Sequence, residues 1–171
     1  GGPALPAETR VLMWTSGTGG GPRGVALTDS NLRAGISAVA ARLGLRPSDR
    51  WLATLGLAHV GGLLLTLRAA ATGALLMTRG RFQADEATAL IDGGSVTHAS
   101  LVPTMLRQFL ERRTDRPAAS LRCLLVGGAH CPRSLVDRAV GAGIPLALTY
   151  GMTESTSQAA TAPPALVRRK V

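Results

Sequence analysis

A chain of 171 residues has room for one ordinary domain, and 46% hydrophobic against 17% charged residues excludes general disorder. Aromatics are only 3%, so a packed core must be built mainly from Leu, Val and Ala. The net charge of +9 raises nucleic acid as a partner, but the arginines are scattered from Arg10 to Arg169 without interleaved aromatics, and no specific nucleic-acid partner is expected.

In chain order, Val11–Trp14 is a compact apolar run that predicts a strand ending in a Gly-rich loop, and Val25–Leu27 is strand-like again. Ser30 is placed to cap a helix running to about Leu43, with Leu32, Ile36, Val39, Ala40 and Leu43 on one face. Trp51–Leu55 reads as a strand, Val60–Ala71 as a buried helix, Ala74–Met77 as a short strand and Ala84–Ile91 as a helix. Val60–Met77 is the most membrane-like stretch, but Arg68 and several small residues interrupt it, so no membrane span is expected. Thr97–Val102 predicts a strand, and Pro103 suits the first turn of a helix ending near Arg112. Leu121–Val126 reads as a strand, Pro132 opens a helix to about Ala142, and Pro145–Thr149 is the last strand. The tail from Ala159 onward has prolines, basic residues and no periodicity, which reads as a loop leading onward. Cys123 and Cys131 lack the paired spacing of a zinc site, and no apolar signal segment opens the chain; reduced thiols in a cytoplasmic protein are expected.

Strand–helix alternation predicts an α/β fold, a layered, mostly parallel sheet with flanking helices. Ligands on such sheets collect at the carboxyl ends of strands. Three glycine-bearing segments follow predicted strands directly: residues 15–24, 127–129 and 150–155.

The first segment, Thr15-Ser16-Gly17-Thr18-Gly19-Gly20-Gly21-Pro22-Arg23-Gly24, combines hydroxyls, bare backbone amides and a forked cation, the makings of an anion cradle. It is not a Walker loop, because Val25 follows where Lys would be needed. It is not a dinucleotide fingerprint either, because a strand-like run follows instead of a helix. A hairpin loop without a ligand remains the plain alternative. The second segment, Tyr150-Gly151-Met152-Thr153-Glu154-Ser155, offers a ring to pack on a base, hydroxyls for phosphate and a carboxylate for Mg²⁺. A capped strand-to-helix turn with a solvated Glu154 is its plain alternative.

Taken together, TSGTGGGPRG and YGMTES resemble the phosphate loop and the later Tyr-Gly-Met-Thr-Glu motif of the acyl-adenylate-forming superfamily. His59-Val60-Gly61-Gly62, Val102-Pro103-Thr104-Met105-Leu106 and Gly127-Gly128-Ala129 resemble its intermediate motifs in the same order. Thr153–Thr161, with Ser157-Gln158 after Thr153-Glu154, is most similar to the o-succinylbenzoate–CoA ligases of menaquinone biosynthesis.

The resemblance implies a partial large N-terminal domain over residues 10–161, with 1–9 as a linker and 162–171 as a loop leading to a further part. It implies ATP-dependent activation of a carboxylic acid as an acyl-adenylate, then transfer to coenzyme A as cosubstrate. By position, Thr15, Ser16, Gly17, Thr18 and Gly20 wrap the β,γ-phosphates, with Arg23 where the superfamily has Lys. Gly127, Gly128, Ala129 and Tyr150 border adenine, Thr153 contacts the α-phosphate, Glu154 binds Mg²⁺, and His59 sits between nucleotide and acyl sites. Gly19 departs from the superfamily's second Thr, and Arg23 keeps the charge of Lys with a different shape. No Tyr-x-Thr-Gly-Asp segment and no motif for the catalytic Lys occur, so the 171 residues by themselves are expected to lack turnover. Another acyl- or aryl-CoA synthetase, or a non-catalytic nucleotide-binding module, remains as an alternative.

Overall fold

The computed structural model describes residues 4–15, 21–113 and 116–170. Strands β1 (Thr9–Thr15) and β2 (Arg23–Thr28) pair antiparallel as a two-stranded ribbon, separate from the main sheet. Helix α1 (Asp29–Leu43) follows, and its cap is Thr28, not the expected Ser30. Thr28 Oγ1 accepts the Asn31 N–H at 3.2 Å, and Asn31 Oδ1 accepts the Thr28 N–H at 3.1 Å, a reciprocal pair that fixes the start two residues earlier.

The rest alternates β3 (Arg50–Ala53), α2 (Val60–Thr72), β4 (Leu75–Thr78), α3 (Ala84–Asp92), β5 (His98–Leu101), α4 (Pro103–Arg112), β6 (Cys123–Val126), α5 (Arg133–Gly141) and β7 (Leu146–Tyr150). A 3₁₀ turn (Thr153–Ser155), β8 (Ala160–Ala162) and α6 (Pro164–Arg169) complete it. The six-stranded sheet runs β4-β3-β5-β6-β7-β8, all parallel except β8, which returns antiparallel on β7. The tail therefore corrects the expected loop. Residues 160–162 extend the sheet, and Pro164 at the first turn starts a helix whose Val167 is buried in the main core.

Strand alternation splits the core between the two sheet faces. Leu52, Ala99, Leu101, Leu124, Val126 and Leu146 pack with α3, α4 and α5 on one side, through Ile91, Leu106, Phe109 and Val136. Trp51, Cys123, Leu125 and Ala147 face the other way, where Leu65 of α2 covers them. Among the described residues no helix is long and apolar enough to cross a membrane.

A polar cluster is buried at the amino ends of β3, β5 and β6. Asp49 accepts hydrogen bonds from Arg122 Nη1 (2.5 Å), the Arg46 N–H (2.8 Å) and Thr97 Oγ1 (3.1 Å). His98, fully buried, places Nδ1 at 2.9 Å from Thr97 Oγ1 and 3.6 Å from Asp49 Oδ1. Burial pushes its pKa down to about 4, against the upward pull of Asp49 and with a further downward push from Arg122. The unfolded histidine titrates near 6.5, so between these values the unfolded chain binds more protons than the folded one. Stability is thus expected to fall as pH drops from about 6.5 to 4, by roughly 3 kcal/mol from this group. Urea denaturation at pH 7 and pH 4.5 measures it, with His98→Gln expected to flatten the pH dependence; an unchanged slope in the variant would contradict the assignment.

Candidate functional site

The chain leaves β3 for β4 on one side and returns to β5 on the other, so the strand order reverses beside β3. Parallel sheets open a crevice at the carboxyl edge where this happens. A cavity of about 120 Å³ lies there, lined by Leu55 after β3, Ser100 and Val102 at the end of β5, Gly127 after β6 and Gly151 after β7.

Close backbone packing dictates two of these glycines. A Cβ on Gly127 would stand 2.5 Å from Thr149 Cγ2 and 2.9 Å from the Thr149 carbonyl oxygen. A Cβ on Gly151 would fall 1.4 Å from the Ser157 carbonyl oxygen. Gly128 follows at φ +79°, a left-handed conformation that suits glycine. The expected adenine border is divided between two neighbouring spaces. Gly127 and Gly128 line the cavity, whereas Ala129 and Tyr150 line an adjoining open groove of about 460 Å³, and Thr149 lines both. Tyr150 is 62% exposed, its ring free to receive a partner.

Thr153 and Glu154 sit on the 3₁₀ turn after β7, where Ser155 Oγ accepts the Met152 N–H at 3.1 Å. Thr156 (φ 54°) and Ser157 (φ 85°) then take left-handed conformations that non-glycine residues rarely adopt, a local strain of the kind that gathers at functional sites. β2 packs against this turn, and Gly35 of α1 lets it approach, since a Cβ there would be 3.1 Å from Thr156 Cγ2. The hairpin that carries the first glycine-rich segment is thereby held beside Thr153 and Glu154. Thr15 and Arg23 are register partners, with Thr15 Oγ1 3.5 Å from the Arg23 carbonyl, so the two ends of the connecting loop are pinned together. Arg23 is exposed. Ser16, Gly17, Thr18 and Gly20 lie outside the described residues.

His59 caps α2 through its backbone, its carbonyl accepting the N–H groups of Gly62 (3.0 Å) and Leu63 (3.1 Å). Its side chain is exposed, and the next two residues, Val60 and Gly61, line the cavity, so His59 stands at the rim. Of the other histidines, His98 belongs to the buried cluster at the opposite strand ends, and His130 is exposed beside α5. Cys123 and Cys131 are both free thiols, and burial pushes Cys123 up to about 12, which keeps it unreactive. No group of three or more His, Cys, Asp or Glu able to hold a metal occurs among the described residues. A lone carboxylate such as Glu154, exposed and with no ion pair among the described residues, still suits Mg²⁺, which takes most of its ligands from phosphates and water.

Arg68 is the functional candidate that sequence reading passes over. It lies on α2, lines the cavity, and is only 2% exposed. Its position one turn after Leu64 and Leu65 on the buried helix face is the signal that marks it.

The chain matches the model of the AMP-binding enzyme family over residues 2–171. It is 40% identical over 157 residues to a 2-succinylbenzoate–CoA ligase of Bacillus licheniformis, covering 92% of this chain and 33% of the relative. A second relative, the 2-succinylbenzoate–CoA ligase of Bacillus pumilus, is 38% identical over 92% of this chain. Among solved structures, the chain is similar to o-succinylbenzoate coenzyme A synthetase from Bacillus subtilis in complex with AMP, with a TM-score of 0.87 and 37% identity over 95% of this chain and 34% of that one. The same Bacillus subtilis enzyme in complex with ATP and magnesium superposes with a TM-score of 0.83 and 38% identity, over 90% of this chain and 32% of that one. The chain thus spans about a third of the length of the curated relatives it matches.

Proposed function

We propose, since the chain belongs to the AMP-binding enzyme family, that it carries the nucleotide-binding part of an acid–CoA ligase acting on 2-succinylbenzoate. The observation that carries this reading is the seating of the β1–β2 hairpin against the Thr153–Ser155 turn, beside a cavity at the switch point of a parallel sheet. Similarity to 2-succinylbenzoate–CoA ligases over nine-tenths of the chain supports the choice of acid.

The chemistry has two displacements. A carboxylate oxygen attacks the α-phosphorus of ATP, forming the acyl–phosphate bond as the bond to pyrophosphate breaks. The thiolate of coenzyme A then attacks the acyl carbon, and AMP leaves. In this assignment residues 10–161 form the adenylating part. The loop Thr15, Ser16, Gly17, Thr18 and Gly20, with Arg23 at its exit, surrounds the β,γ-phosphates with backbone amides and hydroxyls. Ala129 and Tyr150 flank the base, Gly127 and Gly128 let the nucleotide approach the backbone, and Thr153 donates its hydroxyl to the α-phosphate. Glu154 would hold Mg²⁺, which supplies charge neutralisation on the phosphate oxygens. His59, at the rim, separates nucleotide from acid. Positioning and preorganised charge do most of the work, as in other displacements at phosphorus.

The test is ATP–pyrophosphate exchange by the full-length protein with Mg²⁺. Exchange stimulated by 2-succinylbenzoate above benzoate and fatty acids is expected. Glu154→Gln is expected to lower the exchange rate about 100-fold, the usual scale for losing one group that stabilises developing charge. Tight Mg-ATP binding without exchange under any acid would point instead to a non-catalytic nucleotide-binding module.

A further inference from the structure

We propose that the groove between α4 and α5 binds a phosphate ester at a site separate from the nucleotide site, with Arg107 and Arg138 holding the anion. The groove has a volume of about 440 Å³ and is lined by Thr104 and Arg107 of α4, Ser134 and Arg138 of α5, and His130 from the loop after β6. Its lining contains no acidic residue. The arginines of these two helices and their ends fall into two groups. Arg112 pairs with Asp85 at 2.7 Å, Arg113 with Asp92 at 3.0 Å and Arg133 with Asp137 at 2.7 Å. Arg107 and Arg138 have no carboxylate partner among the described residues, and these two line the groove. Arg138 is braced instead by one bond, Nη2 donating to the Leu110 carbonyl at 3.0 Å, which orients the fork and leaves its other N–H groups for a ligand.

Spacing explains why these groups meet. Thr104 and Arg107 are three positions apart and Ser134 and Arg138 four, so each pair shares one helix face. Two forked guanidiniums and two hydroxyls offer more donors than one carboxylate can accept, whereas a phosphate monoester brings three oxygens and nearly two charges. Neither α4 nor α5 has a side chain capping its first turn, so the positive ends of both helices add to the field. Leu135 and Pro132 supply an apolar wall, and the groove is much larger than a bare phosphate, so the ligand carries an organic body. Pro103 in the lining follows Val102 of the switch-point cavity, and His130 follows Ala129 of the Tyr150 groove. No residue lines both this groove and either of those spaces. The ester is thus held beside the nucleotide, not in its place. Two sources share this chemistry: the phosphates of coenzyme A, and a free phosphorylated molecule.

The site stands apart from the acid–CoA ligase reading, and its test reads binding, not turnover. Calorimetry on the full-length protein, with the nucleotide site filled by Mg²⁺ and the non-cleavable analogue α,β-methylene-ATP, titrates coenzyme A, adenosine 3′,5′-bisphosphate and ribose 5-phosphate in turn. Wild type is expected to bind, and Arg107→Gln to weaken that binding about 10-fold, the scale of losing one charge-assisted hydrogen bond. Arg107→Gln combined with Arg138→Gln is expected to weaken it further, with the affinity for α,β-methylene-ATP unchanged in both variants. Arg168→Gln, which removes the same charge from exposed α6, is expected to bind as wild type does. Coenzyme A and the bisphosphate binding well above ribose 5-phosphate identifies the cosubstrate as the source. Ribose 5-phosphate binding as tightly as both identifies a free phosphate ester. Binding by none of the three, equal binding by wild type and Arg107→Gln, or an equal loss in Arg168→Gln overturns the proposal. Should the double variant fail to fold, Arg107→Gln decides, since Arg107 is exposed and has no ion pair among the described residues to lose.

Discussion

Gly151→Ala is expected to abolish measurable Mg-ATP binding while leaving most of the sheet folded. The new Cβ would sit 1.4 Å from the Ser157 carbonyl oxygen, 2.5 Å from its carbonyl carbon and 2.9 Å from Gln158 Cα. All three are backbone atoms, so no side chain can swing aside. The segment cannot give easily, because it is fastened by Ser157 N–H to the Met152 carbonyl (3.1 Å) and Ala159 N–H to the Tyr150 carbonyl (2.9 Å). Thr156 and Ser157 already hold left-handed conformations, which leaves little slack to absorb a displacement. Relief requires prying the β7–β8 connection open, at a cost of about 3 kcal/mol or more. That motion carries Thr153, Glu154 and Tyr150 away from each other, and affinity for Mg-ATP falls about 100-fold or further. Gly141→Ala is the matched control, since nothing lies within 4 Å of a Cβ there at the end of α5. Equal nucleotide affinity in the two variants would contradict the role given to the turn.

Asp49→Ala is expected to be the most destabilising single truncation outside the apolar core. Asp49 is 1% exposed and accepts from Arg122, the Arg46 N–H and Thr97 together. Burial by itself would raise the carboxyl pKa, but these hydrogen bonds, with charge from His98, hold it net below its ordinary value. Its stabilisation is therefore present above the unfolded pKa near 3.8 and is lost as pH falls through the lower folded value. Removing the carboxylate takes the acceptor from Arg122 Nη1, whose Nη2 keeps its bond to the Gly44 carbonyl, and from the Arg46 backbone N–H, at about 3 kcal/mol. Domains are stable by only about 5–15 kcal/mol, so this is a large fraction. A drop in melting temperature of roughly 6–12 °C is expected at neutral pH. Asp49→Asn, which keeps acceptor and shape without charge, should fall between. Because the cluster lies at the amino ends of the strands, nucleotide affinity at low temperature should not change. An unaltered melting temperature would show that the cluster contributes nothing.

Local pattern carried much of the fold. Pro103 at a first helical turn marks α4, which spans Pro103–Arg112 as the sequence implies. The runs around Trp51, Ala99 and Leu124 are short, apolar and turn-bounded, and they become three adjacent parallel strands. The ordered motifs placed Thr153, Glu154, Gly127 and Gly128 at one edge because parallel strands deliver their following loops to the same end. What escaped the sequence depends on contacts distant in the chain or on elements too short for periodicity. Helix α6 is six residues long, less than two turns, so it reads as loop until Val167 finds the core. Ser30 and Thr28 are equally good caps by letter, and only the reciprocal bond with Asn31 chooses between them. The pairing of Asp49 with Arg122 spans 73 positions and has no local signature. Arg68 reads as a break in an apolar run, whereas packing on Trp51 makes it a buried charge.

The measurement that bears most directly on the central claim is detection of the acyl-adenylate itself. Full-length protein would be incubated with ATP, Mg²⁺ and 2-succinylbenzoate in the absence of coenzyme A, quenched, and assayed by mass spectrometry. The account predicts 2-succinylbenzoyl-AMP with stoichiometric pyrophosphate, and its disappearance with release of AMP once coenzyme A is added. ATP bound and unchanged, with no adenylate from any carboxylic acid tried, would contradict it.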